Sequence, residues 1–445
     1  MLKTFRTGGI HPPENKQAAN CKITALPVSG QVVIPLNQHI GVPAEAVVGK
    51  GDTVKVGTLL AKAAGFVSAN IHSSVSGTVR KIGDALQGNG ASASSVFIDV
   101  DGDEWEETID RTSTIVRECT LSGKEIIDKI AAAGIVGLGG AAFPTHVKLL
   151  PPPGNKAEVL IVNGVECEPY LTSDHALMMA KGEEILIGVR LLMKAIQVNR
   201  ALIGIERNKK DAIAFLTALA SAKYRDIEIV PLKVKYPQGG EKQLIDALLR
   251  RKVKSDALPV SVGAVVQNVG TVFAVYEAVQ KNKPLTERVV TVAGTEIFRP
   301  SNLLVRVGTP VRALLDAVGG LPDTTGKIIS GGPMMGRTLV GVDVPVTKAC
   351  SGILVFPAKD AGRKSAAPCI RCAKCVQVCP MRLNPALLMD ATWYEQWPMA
   401  ENNYIVDCIE CGSCSYTCPA HRPLLDYIRL GKNRVKELAR LRKSS

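Results

Sequence analysis

A chain of 445 residues is long enough for about two to four domains, each with its own core. Hydrophobic residues make up 46% and aromatics 4%, and the abundance of Ala, Val, Ile and Gly suits packed α/β layers. The formal charge of +13 admits an anionic surface or an acidic protein as partner, while the lack of zinc-spaced His pairs and of base-stacking aromatics gives nucleic acid no support. No apolar run reaches the roughly 18 residues of a membrane span, and Met1 to Lys16 lacks the apolar core of a signal peptide, so neither is expected.

Residues 1–30 read as irregular, broken by Gly8-Gly9 and Pro12-Pro13. Residues 31–105 read as an all-β module of short strands and turns, with landmarks at Val32-Val33-Ile34, Asp52-Thr53-Val54, Leu59-Leu60-Ala61 and Gly77-Thr78-Val79. The pattern resembles a biotinyl/lipoyl-type barrel-sandwich domain. Such carrier domains present a lysine at a hairpin tip; the corresponding stretch, Ala64-Gly65-Phe66-Val67, has none. A non-carrier docking or scaffold module is therefore expected. The acidic stretch Asp99 to Asp110 reads as a linker.

Residues 115–285 alternate helix and strand. Ser122-Gly-Lys-Glu125 is a capping box opening a helix with Ile126, Ile127 and Ile130 on one face. Strands are predicted at 158–163, 200–206, 227–234 and 261–267, which implies a doubly wound, mostly parallel sheet with ligands at the carboxyl ends of its strands. Residues 286–360 return to β character around a helix from Val311, with a Gly331-Gly332-Pro333-Met334-Met335-Gly336 loop; this resembles an SLBB β-grasp module.

Residues 361–428 carry the most specific signal. Cys369, Cys372, Cys375 and Cys379-Pro380 form one C-x2-C-x2-C-x3-C-P run, and Cys408, Cys411, Cys414 and Cys418-Pro419 form a second. A cubane needs four thiolates, and this spacing lets one loop wrap three corners while the fourth ligand comes from the other run. Cys369, Cys372, Cys375 and Cys418 are thus expected to hold one [4Fe–4S] cluster; Cys408, Cys411, Cys414 and Cys379 are expected to hold the other. The spacing favours a reducing, cytoplasmic setting over disulfides. Pro385 to Tyr394, between the runs, reads as helical. In the basic tail, 429–445, seven of the fifteen residues from Arg429 to Lys443 are Lys or Arg, with an apolar stripe of Leu430, Val435, Leu438 and Leu441. A solvated terminal helix and a helix docking on a membrane or partner both fit.

The central region holds a Gly-rich loop, Gly137-Leu-Gly139-Gly140-Ala-Ala-Phe143-Pro144-Thr145-His146-Val147-Lys148. Its glycines let backbone N–H groups approach a ligand, and Lys148 can neutralise a phosphate, although a tight turn fits the loop alone as well. Three predicted strand ends add polar or Gly-rich segments: Asn163-Gly164-Val165-Glu166-Cys167-Glu168-Pro169, Tyr236-Pro237-Gln238-Gly239-Gly240-Glu241, and Gln267-Asn268-Val269-Gly270-Thr271. In this order they resemble the flavin- and NADH-binding subunit of respiratory complex I. Leu138 stands where that family has Arg, Ala142 for a Gly, Gly240 for a Glu and Gln267 for an Asn. The exact form of the loop, Glu166-Cys-Glu-Pro-Tyr-Leu-Thr-Ser-Asp174, the opening Phe5-Arg-Thr-Gly-Gly-Ile-His-Pro-Pro-Glu14 and the doubled cysteine run are similar to the RnfC component of Rnf-type ion-translocating complexes.

That resemblance implies a multidomain α/β protein: an N-terminal all-β barrel-sandwich module, a doubly wound flavin domain, an SLBB β-grasp domain and a helical two-cluster ferredoxin-like domain. It implies non-covalent FMN faced by Gly137, Gly139, Gly140, Lys148, Asn163, Tyr236, Gly239, Gly240 and Asn268, with Glu166 near the flavin. It also implies NAD(H), with Glu168 and Glu241 on nicotinamide or ribose groups and Phe143 stacked on the dinucleotide. Glu166 and Glu168 would position rather than act as acid or base, because hydride transfer needs no strong general base. The implied partners are membrane-embedded and peripheral subunits, among them one accepting electrons from ferredoxin, at the cytoplasmic face of the inner membrane, with Na+ or H+ moved by those partners. Two other readings fit: an electron wire with a vestigial dinucleotide site, favoured by Leu138 and Gly240, and the flavoprotein subunit of a soluble NAD-linked hydrogenase or formate dehydrogenase. Replacing Cys372 or Cys411 by Ala should each remove one cluster, taking iron from about eight to about four atoms per chain; eight retained would sink the ligand sets.

Overall fold

The computed structural model describes residues 2–28 and 30–444, without the side chains of Lys443 and Ser444. After β1 (Ile23–Ala25), the barrel module forms from β2 (Gln31–Pro35), β3 (Glu45–Ala46), β4 (Thr53–Val54), β5 (Leu59–Lys62), β6 (Ile71–His72), β7 (Gly77–Leu86) and β8 (Ser92–Val100). Two antiparallel sheets, β2-β8-β7-β4 and β3-β5-β6, face each other. Alternation at period two buries Val32, Ile34, Val79, Val96 and Ile98 completely and joins them with Leu60 and Ile71 in one core.

The central domain is an α/β layer structure. It contains α1 (Gly123–Ala132), α2 (Thr145–Lys148), β9 (Val159–Asn163), α3 (Ser173–Ala180), α4 (Gly182–Ala195), β10 (Ala201–Glu206), α5 (Lys210–Lys223), β11 (Ile227–Leu232), α6 (Glu241–Leu249), β12 (Ala264–Asn268) and α7 (Val269–Lys281). The capping box at Ser122 and Glu125 forms, and Ile126 and Ile130 are fully buried. The sheet is wholly parallel in the order β11-β10-β9-β12. Alternate residues serve opposite faces: Leu160 and Val162 pack with α1, α4 and α7, and Ile161 packs with α6 and Phe5. Burial on both faces explains why these strands read as continuous apolar runs. The fourth strand starts at Ala264 rather than at 261, because Pro259–Val262 is a 3-10 turn ended by Gly263 at φ +75°.

The β-grasp domain holds β13 (Glu287–Gly294), β14 (Ser301–Arg306), α8 (Val311–Ala317), β15 (Thr325–Ser330), β16 (Arg337–Thr338) and β17 (Gly352–Pro357). Its sheet order is β1-β14-β13-β17-β15-β16. Most of residues 2–28 lies outside helices and strands, and within it β1 pairs in parallel with β14. The same segment bridges Lys3 to Leu232 and Ile10 to Tyr236, and Gly9 N–H donates to Val378 O at 2.8 Å. Phe5, at 2% exposure, is a core residue of the central domain. Period-based reading misses this because the segment pairs with four different elements in turn.

The C-terminal part follows α9 (Ala358–Ala361) with α10 (Lys374–Gln377), α11 (Pro385–Trp393), α12 (Trp397–Asn402), α13 (Ser413–Thr417) and α14 (Leu424–Ser444). The basic tail is not a separate element. Its helix begins at Leu424, and Ile428 and Val435 pack with Leu388, Ala391, Ala400 and Ile405. The expected apolar stripe is split: Val435 is 2% exposed, but Leu430 is 62% exposed. No helix among the described residues is long and apolar enough to cross a membrane. Gly431 sets the approach of α14 to α11. A Cβ there would stand 2.1 Å from Thr392 Oγ1, 3.2 Å from Thr392 Cβ and 2.8 Å from Ile405 Cδ1. Gly431→Ala gains about 1 kcal/mol of helix propensity but overpacks the contact, which costs about 1–3 kcal/mol. Thermal unfolding of this variant is expected below that of the parent; an equal or higher Tm would contradict the packing.

Candidate functional site

Strands β9, β10 and β11 progress in one direction, and β12 returns to the other side of β9. The topological switch point, where open α/β sheets bind ligands, is therefore between the carboxyl ends of β9 and β12. Asn163 and Asn268 are paired across it. Asn268 Oδ1 accepts from Gly270 N and Thr271 N at 2.8 and 3.3 Å, capping α7, and its Nδ2 donates to Asp174 at 2.7 Å. Asn163 Nδ2 donates to Gly239 O at 2.8 Å.

The Gly-rich loop between α1 and α2 abuts the same end. Gly137 N donates to Phe143 O at 2.8 Å, and Leu138 N donates to Thr271 Oγ1 at 2.8 Å. A Cβ on Gly139 would come within 3.4 Å of Asn268 Cβ, and Gly140 has a φ of +109°, where a side chain is strained. Leu138 itself is buried in the core, at the position where the resembling complex I family has Arg. Lys148 Nζ donates to Glu241 Oε1 at 2.6 Å and Val266 O at 3.1 Å, with Glu241 in the first turn of α6. Gly240 is the residue before that helix. Phe143 is half-buried beside the loop.

The structure thus gathers Gly137, Gly139, Gly140, Phe143, Lys148, Asn163, Gly239, Gly240, Glu241 and Asn268 around one crevice. These residues fit a flavin mononucleotide. The crevice combines a cation for a phosphate, glycines where backbone must approach closely, and buried polar atoms lacking partners at Gln267 Nε2 and Thr145 Oγ1. Buried polar groups are ordinarily satisfied, so these atoms at a strand end and a helix start have hydrogen-bonding capacity to spare for a ligand.

The two carboxylates of the Asn163–Pro169 segment are engaged elsewhere. Glu166 caps α3, accepting from Asp174 N at 2.7 Å and His175 N at 3.2 Å. Burial and the neighbouring Glu166 push Asp174 up to about 7. Glu168 reaches into the β-grasp loop, accepting from Met334 N at 3.0 Å and Met335 N at 2.8 Å. Tyr236 OH lies 3.4 Å from Glu168 and donates to Cys411 O at 2.8 Å. Glu168 was expected on nicotinamide or ribose and Tyr236 on the ribityl chain; without ligand, the two link the turn after β9 to the β-grasp loop and to Cys411. Sequence reading also missed Lys16. Its Nζ donates to Glu166 O, Glu168 O and Leu171 O at 2.9, 2.9 and 2.6 Å, fixing the turn that presents both carboxylates. Burial lowers Lys16 to about 8. Its place just after the conspicuous Phe5–Glu14 segment is the one signal the sequence offers for it.

Cys379, Cys408, Cys411 and Cys414 line one cavity with Met381, Ile409 and Leu425. Among the described residues no three His, Cys, Asp or Glu side chains close on a single metal ion. Thiols spaced around a cavity suit a cluster rather than a lone ion. Cys375 packs beside Cys418 and senses Cys418 and Cys369 electrostatically. Cys379 thus shares a cavity with three thiols of the second run, and Cys418 packs with Cys375 of the first.

Family models match residues 3–103 (RnfC barrel sandwich hybrid domain), 130–277 (Nuo51 FMN-binding domain), 289–338 (SLBB domain) and 361–429 (4Fe-4S dicluster domain). Over 437 residues the chain is 46% identical to the C subunit of the proton-translocating ferredoxin:NAD(+) oxidoreductase complex of Clostridium ljungdahlii, covering 97% of this chain and 94% of the relative. The chain belongs to the RnfC family. The C subunit of the Na(+)-translocating ferredoxin:NAD(+) oxidoreductase complex of Acetobacterium woodii is 42% identical over 434 residues, covering 97% of each chain. A solved NAD+-reducing [NiFe]-hydrogenase shares the fold at 19% identity and a TM-score of 0.51, over 71% of this chain and 63% of that one. RnfC-family membership and the domain matches make this an FMN and iron–sulfur protein.

Burial pushes Glu168 up to about 7 from its ordinary 4.5, although the donors at Met334, Met335 and Tyr236 pull the other way. A raised carboxylate contributes stability that is complete below 4.5 and lost as pH rises to about 7. Glu168→Gln has no such loss, so the variant should gain stability relative to the parent across that window. Denaturant titrations at pH 5, 6 and 7 check this; a pH-independent difference between the two proteins would refute it.

Proposed function

We propose that this chain exchanges electrons between NAD(H) and two [4Fe–4S] clusters by way of FMN, as the peripheral subunit of an Rnf-type complex. The complex sits at the cytoplasmic face of the membrane, and partner subunits move Na+ or H+. The observation that carries the reading is the Tyr236 OH to Cys411 O hydrogen bond: it ties the segment after β11, which borders the flavin crevice, to a backbone carbonyl of the buried thiol set. Bound FMN supplies the conversion between a two-electron hydride donor and one-electron acceptors.

The chain's own residues then have defined tasks. Lys148 neutralises the phosphate, moving away from Glu241 to do so. Gly137, Gly139 and Gly140 keep the backbone close to the ligand. Asn163 and Asn268 hold the two strand ends at the distance the flavin needs. Phe143 gives the dinucleotide an aromatic face, and Glu241, once released by Lys148, accepts from its ribose hydroxyls. Glu166 fixes the start of α3, and Glu168 holds the β-grasp loop against Tyr236. Membership of the complex follows from the relatives named above, which are subunits of ion-translocating ferredoxin:NAD(+) oxidoreductase complexes.

A second reading keeps the electron wire without NAD(H). The burial of Leu138 favours it, because the loop then offers no cation at that position. Adding NADH to the purified chain, loaded with FMN and clusters, decides between the two. Bleaching of flavin absorbance followed by cluster signals in EPR is expected; an unbleached flavin would leave only the wire. Lys148→Gln should weaken FMN binding about tenfold or more, the value of one charge-assisted hydrogen bond, while iron content stays unchanged.

A further inference from the structure

The two thiol sets differ sharply in exposure. Cys379, Cys411 and Cys414 are 9%, 7% and 8% exposed; Cys411 packs with Tyr236 and Met334, Cys379 with Leu383 and Leu388, and Cys414 with Met389 and Leu424. Cys369 and Cys372 are exposed. The chain is exposed throughout 362–374, and Ala367 N donates to Ala420 O at 2.9 Å, which holds this segment beside Cys418. The surface around it is apolar in the middle. Ile370, between two of the thiols, is 68% exposed, and Tyr416 is 53% exposed. Trp393 is 56% exposed and packs on Tyr427 at 5.0 Å, and Tyr427 packs beside Cys375 and Cys418.

Charge completes the pattern. Several other basic side chains in this part of the chain are paired, Arg363 with Asp426, Arg422 with Asp390, and Arg429 and Lys432 with Glu410. Lys364, Arg371 and Lys374 are exposed and have no acidic partner among the described residues. Between residues 358 and 374 the only acid is Asp360, against five Lys and Arg. Unpaired cations around an exposed apolar centre are the anatomy of a docking site, with aromatic anchors inside and a polar rim outside.

We propose that this patch docks a protein whose acidic face surrounds its own one-electron centre, and that the Cys369, Cys372, Cys375 and Cys418 set is the terminal through which electrons cross to it. The buried set is then the inner relay, next to the flavin crevice. One electron passes per encounter between the reduced and the oxidised centre, with no bond made or broken and no proton moved. The proposal rests on the two-cluster reading above.

The test uses the full chain, loaded with FMN and clusters and reduced. Reoxidation is followed by stopped flow with ferricyanide, an anionic acceptor, and with tris(phenanthroline)cobalt(III), a cationic one. In the triple variant Lys364→Glu, Arg371→Glu, Lys374→Glu, the ferricyanide rate at low salt should fall about tenfold or more while the cobalt rate rises, and the difference should shrink at high salt. A reversal of equal size at Lys50, Arg80 and Lys124 should leave both rates unchanged. Co-sedimentation with membranes from cells lacking this chain should weaken at least tenfold in the first triple variant. Unchanged oxidant selectivity or unchanged membrane binding would overturn the proposal. So would equal binding to protein-free phosphatidylglycerol vesicles, which would assign the patch to lipid, or self-association abolished by the variant, which would assign it to a second copy. Iron well short of eight per chain in the unchanged protein would instead overturn the two-cluster reading itself.

Discussion

The Glu168 carboxylate is the contact on which the redox architecture depends. It joins three parts of the chain that are distant in sequence: its own turn after β9, the Met334–Met335 backbone of the β-grasp loop, and Tyr236, which continues to Cys411. Hydrogen bonds to a charged group are worth about 1.5–3 kcal/mol each, and burial raises the cost of leaving any of them unmade. The cradle is made for it. A Cβ on Gly332 would stand 2.1 Å from Glu168 Oε2, so only glycine lets the loop close over the carboxylate. The junction holds the turn after β9, the β-grasp loop and the Cys411 backbone together.

The N-terminal segment reinforces the same junction from outside. It contributes Phe5 to the central core, a hydrogen bond from Gly9 to Val378 beside the buried thiols, Lys16 to the carbonyls of the Glu166–Leu171 turn, and β1 to the β-grasp sheet. Gln17 Oε1 also accepts from Gly294 N at 3.1 Å. Three parts that would otherwise shift against one another share a single strap. Lys348 performs a comparable task on the other side, donating to Asn70 O and Gly134 O at 2.8 Å each and so joining the β-grasp domain, the barrel and the helix that precedes the Gly-rich loop. Burial without a carboxylate partner lowers it to about 7. The barrel module is thereby held against the flavin loop, as Ile40 N to Ala142 O at 3.2 Å also shows.

Much of the central domain was legible because its strands are short, continuous apolar runs and its first helix carries a capping box; both are local signals. The segments around the carboxyl ends of β9 and β12 were conspicuous for the same reason, since each lies at a strand end or in a Gly- or Asn-rich stretch. Glu166 and Glu168 were legible as conspicuous acids but not in their contacts within the chain. One turns back to cap α3 and the other reaches a loop more than 160 residues away, and neither direction is encoded by spacing. Lys16 was illegible, because a lysine in an irregular segment has no period and its three acceptors are backbone carbonyls. The tail misled in a different way: Leu430 and Val435 share a helical stripe on paper, yet the packing of α14 on α11 buries one and leaves the other in solvent.

The sequence alone determined the cofactor chemistry. Cysteine spacing is a local property, and a run of C-x2-C-x2-C-x3-C-P can wrap three corners of a cubane whatever surrounds it. It likewise determined that one parallel sheet would present polar loops at its carboxyl edge. Only the tertiary structure decided which thiols are buried and which face solvent, because exposure depends on what packs over each loop. The two runs are identical in spacing. Tyr236 and Met334 pack on Cys411, and α11 and α14 residues pack on Cys379 and Cys414, while Cys369 and Cys372 are exposed.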